Sequence, residues 1–168
     1  MRTILKFVLL LASILVIASC EKKKVEPAKT GEVVPDFSLT DLDGNIRKLS
    51  DYKGKVVVLF LFGNTCPSCI AVGPQIQSEI ADKYAANSNF VILGLDQWNG
   101  TKSAVESFKS KTGIKFPLLL NASSVQDAYA TQYDRLLVVD KDGFLRFKGA
   151  QVASNDIENV IATVDKHL

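Results

Sequence analysis

Cys66 and Cys69 stand two residues apart in FGNTCPSCIAVGP, Phe62–Pro74, with Pro67 and Ser68 between them and Pro74 eight positions after the first cysteine. Such a pair is half of a metal site, a structural disulfide or a reversible redox couple. A structural zinc site asks for four Cys or His ligands. Beyond this pair the chain has Cys20 near its start and a single histidine, His167, at its far end. Haem attachment needs a histidine after the second cysteine, where Ile70 stands. No metal is therefore expected. A disulfide across two residues closes so small a loop that it removes little unfolded-state entropy. Reversible thiol–disulfide exchange is the chemistry this spacing serves, with the Cys66–Cys69 disulfide itself in place of any cofactor.

The elements around the pair support that reading. KVVVLFLFG is an unbroken apolar run of strand length, as expected for a strand buried on both faces. From Cys66 to about Ala86, Ile70, Val72, Ile76, Ile80 and Tyr84 recur at mostly helical spacing. Cys66 then falls at the N-cap, where free backbone N–H groups and the helix dipole favour a thiolate. Pro67 suits the first helical position, because its missing N–H would be unpaired there anyway. Cys69, one turn on, is placed to attack a mixed disulfide formed at Cys66. Cys66 is thus the expected nucleophile and Cys69 the resolving thiol.

The rest of the chain alternates strands and helices. PDFSLTDLDGNIRKLSDYKGK reads as a hairpin with a turn at Asp43-Gly44. FVILGLD is a second buried strand; Thr101 caps a helix that Gly113 ends; FPLLL is a short strand and SSVQDAYATQY a short helix. RLLVVD and FLRFKG form a hairpin across KDG, and SNDIENVIATVDKHL closes the chain as an amphipathic helix. The expected fold is α/β: one domain over residues 35–168, with a central mixed sheet flanked by helices on both faces and an N-terminal β-hairpin.

The N-terminus, MRTILKFVLLLASILVIASC, orders positive, apolar and small residues as a secretory signal does. The apolar run Phe7–Ile17 is shorter than the roughly 20 residues that span a bilayer. IASC resembles the lipoprotein box of bacteria, which implies a signal peptide over residues 1–19 and lipidation of Cys20. Residues 20–34 then form a charged tether. Lipidation would leave Cys66 and Cys69 as the only thiols in an exported, disulfide-permissive compartment. The formal charge is +2, from 20 basic and 18 acidic residues, with no basic stripe carrying interleaved aromatics, so nucleic acid is not an expected partner.

Strand, C-x-x-C and helix, with Pro74 eight residues after Cys66, resemble the thioredoxin superfamily. The N-terminal hairpin, GIKFPLLLN and VVDKDG resemble its TlpA-like and redoxin branch. The resemblance implies an extracytoplasmic, membrane-anchored thiol–disulfide oxidoreductase facing the periplasm. It also implies reduction of disulfide-bearing client proteins, a membrane electron donor, a helix kinked at Pro74 and an exposed Cys66 thiol. The chain departs from that pattern at three places. The family's cis-proline position falls at about Asp134, its aromatic residue before the first cysteine is Thr65, and VVVLFLF lacks the acid some members bury beneath the cysteines. Asp134 and Arg135 are therefore candidate active-site neighbours. Arg135 is expected to favour the thiolate, and a surface salt bridge is the plain alternative for Asp134. Trp98, in the loop after FVILGLD, is a third neighbour, either as a docking surface for clients or as a packed anchor.

Two rivals remain. A peroxide-reducing redoxin would carry P-x-x-x-T-x-x-C, but Gly63 and Leu59 occupy the threonine and proline positions before Cys66. A non-catalytic binding domain would keep the fold without the reaction.

Overall fold

The computed structural model describes residues 28–168. The expected signal, Cys20 and the first part of the tether lie outside the described residues. The elements run β1 (Ser38–Thr40), β2 (Ile46–Lys48), β3 (Val56–Phe62), α1 (Pro67–Ile76), β4 (Phe90–Asp96), α2 (Lys102–Thr112), β5 (Leu118–Leu119), α3 (Ser123–Ala128), β6 (Arg135–Val139), β7 (Leu145–Lys148) and α4 (Ile157–His167). The order matches the sequence expectation, and so does the fold class. β1 and β2 pair as a hairpin, and the main sheet is ordered β5-β4-β3-β6-β7. β4 lies parallel to β3, β5 lies parallel to β4, and β6 and β7 run antiparallel. β3 is central and wholly buried, which is why its sequence shows no polar alternation.

The two faces of the sheet bury separate clusters. One holds Val58, Phe60 and Phe62 of β3 with Leu136 and Val138 of β6, under α1, α2 and α4. Both cysteines belong to this cluster. The other holds Val57, Leu59 and Leu61 with Leu137 and Val139, under α3 and the β1–β2 hairpin. This division follows from the two-residue period of side chains along a strand.

Two turns of the same design brace the sheet and the hairpin. In DLDGNIR, Asp41 accepts hydrogen bonds from Asp43 N, Asn45 N and Arg47 Nε, at 3.0, 2.8 and 2.8 Å. In DKDGFLR, Asp140 accepts from Asp142 N at 3.0 Å, Phe144 N at 2.9 Å and Arg146 Nε. Gly44 and Gly143 adopt φ +86° and +88° in these turns, a region open to glycine without strain.

Three expectations change in the details. The helix after Cys66 is not continuous to Ala86: α1 ends at Ile76 and the chain widens into a single π-type turn, Gln77–Ala81, shortly after Pro74. Pro74 does lie inside the helix. α3 stops at Ala128, because Ala130 turns left-handed at φ +42° and Thr131 N bonds back to Gln126 O.

The third change concerns the tether. Its last residues are docked rather than free. Ala28 N donates to Ala128 O, Gly31 N to Leu145 O, Leu145 N to Glu32 O and Val34 N to Gly143 O, while Ala28 and Val34 are buried. The free edge of β7 offers unpaired backbone groups, and Gly31 and Glu32 pair with those of Leu145 at its start.

Candidate active site

β3 ends at Phe62, and the chain passes through Gly63-Asn64-Thr65 into the N-cap of α1 at Cys66. Cys66 has extended backbone (φ −66°, ψ 121°), and its Sγ accepts the Cys69 N–H at 3.4 Å. Ser68 Oγ lies 3.2 Å from the same sulfur. An N-terminal amide and a hydroxyl therefore converge on the Cys66 sulfur at the start of α1. Pro67 and Ser68 are exposed, and both thiols are free.

Cys66 is less open than the resemblance implied, at 4% exposure, and Cys69 is fully buried. Burial pushes the Cys69 thiol well above its ordinary value, helped by its hydrogen bond with Cys66 and by the charges of Cys66 and Asp134. The Gly63 amide opposes the rise. The two sulfurs thus stand in different environments, one at a helix end and one in the core.

The structure does contain buried acids beside this loop, although β3 has none. Asp96, fully buried at the end of β4, accepts from Asn64 Nδ2 with both oxygens at 3.2 Å, from Trp98 N at 3.3 Å and from Gly100 N at 2.6 Å. It ties the loop before Cys66 to the loop after β4. Sequence reasoning passed over Asp96 because it closes an apolar run. The usable signal was the parallel register that sets it beside Phe62.

Trp98 is both an anchor and a surface. Its indole lies so close to Gly63 that a Cβ there would come within 2.4 Å of the ring. It meets Tyr133 edge-on, at 4.9 Å and 82°, yet remains 41% exposed. Trp98 and Tyr133 supply aromatic surface beside the cysteine loop, where Thr65 does not.

Asp134 and Arg135 have different surroundings. Asp134 does not form a surface salt bridge. It is 5% exposed, adopts φ +47° and accepts Ala153 N at 3.3 Å. Arg135 pairs with Leu61 and shares the β6 face of Leu137 and Val139, whereas the cysteine cluster holds Leu136 and Val138. Its neighbours are consistent with that placement: burial and the Arg135 charge hold the Lys148 ammonium below its ordinary value. The expectation that Arg135 flanks Cys66 is thus not what the register shows. Among the described residues no group of three His, Cys, Asp or Glu is placed to hold a metal.

Comparison with known proteins gives the family. The AhpC/TSA family model matches residues 30–148. The thiol-disulfide oxidoreductase ResA of Geobacillus thermodenitrificans is 30% identical over 148 residues, covering 85% of this chain and 82% of its own. The thioredoxin-like protein YneN of Bacillus subtilis is 28% identical over 128 residues, covering 74% and 73%. In structure, the thioredoxin domain of a thiol-disulfide oxidoreductase from Bacteroides vulgatus superposes with a TM-score of 0.69, at 21% identity, covering 80% of this chain and 96% of that one. The chain belongs to the AhpC/TSA family and is an oxidoreductase of the thioredoxin-like, thiol–disulfide type.

Proposed function

We propose that the Cys66–Cys69 pair reduces disulfides of client proteins outside the cytoplasm, on a chain held to the membrane by lipid on Cys20. The observation that carries this reading is the Cys66 sulfur at the start of α1. It accepts the Cys69 N–H, with the second thiol buried one turn behind it. Cys66 attacks the client disulfide, and Cys69 then displaces the client and closes the Cys66–Cys69 bond. A membrane dithiol donor returns the pair to its reduced state.

Of the tether, only the stretch between Cys20 and Ala28 is left to span from a lipid anchor to the folded domain. Eight steps of at most about 3.5 Å hold the domain within roughly 28 Å of its anchor point. Among the described residues no helix is long and apolar enough to cross a membrane.

The test is turnover of a protein disulfide such as that of insulin, together with recovery of labelled lipid on the chain. Cys66→Ser abolishes turnover, Cys69→Ser accumulates a client joined to Cys66, and Cys20→Ala releases the protein from membranes. Turnover that survives Cys66→Ser overturns the assignment. Hydroperoxide turnover exceeding that on protein disulfides favours the peroxide-reducing alternative, whose threonine and proline positions are held here by Gly63 and Leu59.

A further inference from the structure

α3 stops at Ala128, and the chain turns at Ala130 before Arg135 opens β6. The Thr131 amide donates back to Gln126 O, which fixes the turn. Between the end of α3, this turn and the first residue of β6 lies a cavity of about 410 Å³, lined by Gln126, Asp127, Ala130, Thr131, Gln132 and Arg135. Its size is that of a small-molecule site.

Two of the lining residues carry buried polar atoms that nothing satisfies. Thr131 is 3% exposed, and its hydroxyl has no hydrogen-bond partner among the described residues. Arg135 Nε is buried and equally unpartnered, and its guanidinium enters no ion pair there. Such orphans are rare, because each forfeits its hydration without a bond in return. The groups nearby do not answer them. Lys148 pairs with Leu137 and so shares a face of the sheet with Arg135, but its ammonium donates to Tyr129 O at 2.7 Å. It adds positive charge rather than relieving it. Asp134 accepts from Ala153 N, and Asp156 feels the Arg135 charge without pairing with it. Asp127 is exposed at the rim and makes no ion pair with Arg135.

We propose that this cavity is a carboxylate-binding site, in which the Arg135 guanidinium donates to the carboxylate oxygens and the Thr131 hydroxyl donates beside it. The planar fork of a guanidinium matches the two oxygens of a carboxylate. One guanidinium balances one negative charge, and Asp127 at the rim opposes a second, so a phosphate dianion fits less well. Two sources carry this group: a free carboxylate, and an acidic side chain of a client. The segment that lines the cavity also borders the cysteine loop. Tyr133, between Thr131 and Arg135, packs on Trp98, which rests on Gly63.

The test is an acetate titration of the full-length protein in detergent micelles, followed by NMR with isotope-labelled arginine and threonine. Arg47 and Arg146, already held by Asp41 and Asp140, serve as internal references. The Arg135 Nε–H and Thr131 amide signals move and saturate together, while the two references stay in place. Thr131→Val keeps the shape of the side chain without the hydroxyl and weakens acetate by about threefold or more, and Arg135→Gln weakens it by about tenfold or more. Signals that never saturate overturn the proposal, since a cavity that holds only water gives that result. Unchanged affinity in both variants, or phosphate binding more tightly than acetate, overturns it as well. Disulfide peptides that differ only in Glu or Gln beside a cysteine separate the two sources. A KM lower by about threefold or more for the Glu peptide, lost in Arg135→Gln, assigns the cavity to a client side chain. Equal KM values with saturable acetate binding assign it to a free carboxylate. The acetate titration needs no turnover, so its outcome is independent of the exchange reaction assigned above to Cys66 and Cys69.

Discussion

At Gly63, one missing methyl group decides how an aromatic ring meets the cysteine loop. The Trp98 indole rests on this backbone at a distance that leaves no room for a Cβ. Asp96 beneath it anchors both Asn64 and the Trp98 amide. Gly63→Ala therefore forces the indole outward. Since Trp98 is the only tryptophan in the chain, its emission reports the change without ambiguity. A red-shifted emission, greater quenching by acrylamide and a loss of about 1–3 kcal/mol in urea unfolding are expected. An unchanged spectrum would show that the indole does not rest there. Cys66 and its spacing to Cys69 were legible in the sequence, because the motif is local. The burial of Asp96 and Asp134 was not, because each is placed by strands paired far along the chain.

The two D-x-D-G-x-x-R turns are elements in their own right. The sequence shows each as a tight turn between short strands, but not that an aspartate closes the turn while an arginine from the next strand reaches back to it. At Asp140 burial works to raise the carboxyl. The Phe144 amide, Arg146 and the Asp142 amide outweigh it, so the group is held below its ordinary value. A carboxyl lowered on folding contributes stability above its unfolded value near 4, and that contribution disappears as pH falls through the folded value. Asp140→Ala is expected to cost about 2–3 kcal/mol at pH 7, from charge-assisted bonds left unmade. The gap between the two proteins narrows as pH drops below about 4. Urea titrations at several pH values check this, and a gap independent of pH would show that the carboxylate charge plays no part.

For the whole molecule, the consequential contact lies between the N-terminal segment and the sheet. Residues 28–34 cover the β7 edge with backbone hydrogen bonds and bury Ala28 and Val34. A chain beginning at Pro35 leaves that edge bare, loses about 2–4 kcal/mol and self-associates more readily. Urea unfolding and sedimentation of the shortened chain measure both. Equal stability with and without the segment would mean that residues 28–34 add nothing to the fold. The boundary was misjudged from sequence because Lys29, Gly31 and Glu32 are exposed and polar. Their backbone, which composition does not describe, makes the contacts.

By itself, the sequence determined the C-x-x-C pair, its place between a buried strand and a helix, the order of the elements and the family they belong to. Those features are written in local spacing and hydrophobic period. Tertiary structure decided that Asp96 and Asp134 are buried and which face of the sheet Arg135 occupies. Alternation along β6 separates its two faces but does not say which one meets α1, and the left-handed turn at Asp134 interrupts even that period. Only the pairing of β3 with β4 and β6 brings Asp96, Trp98 and Asp134 to the cysteine loop, across separations that no local pattern records.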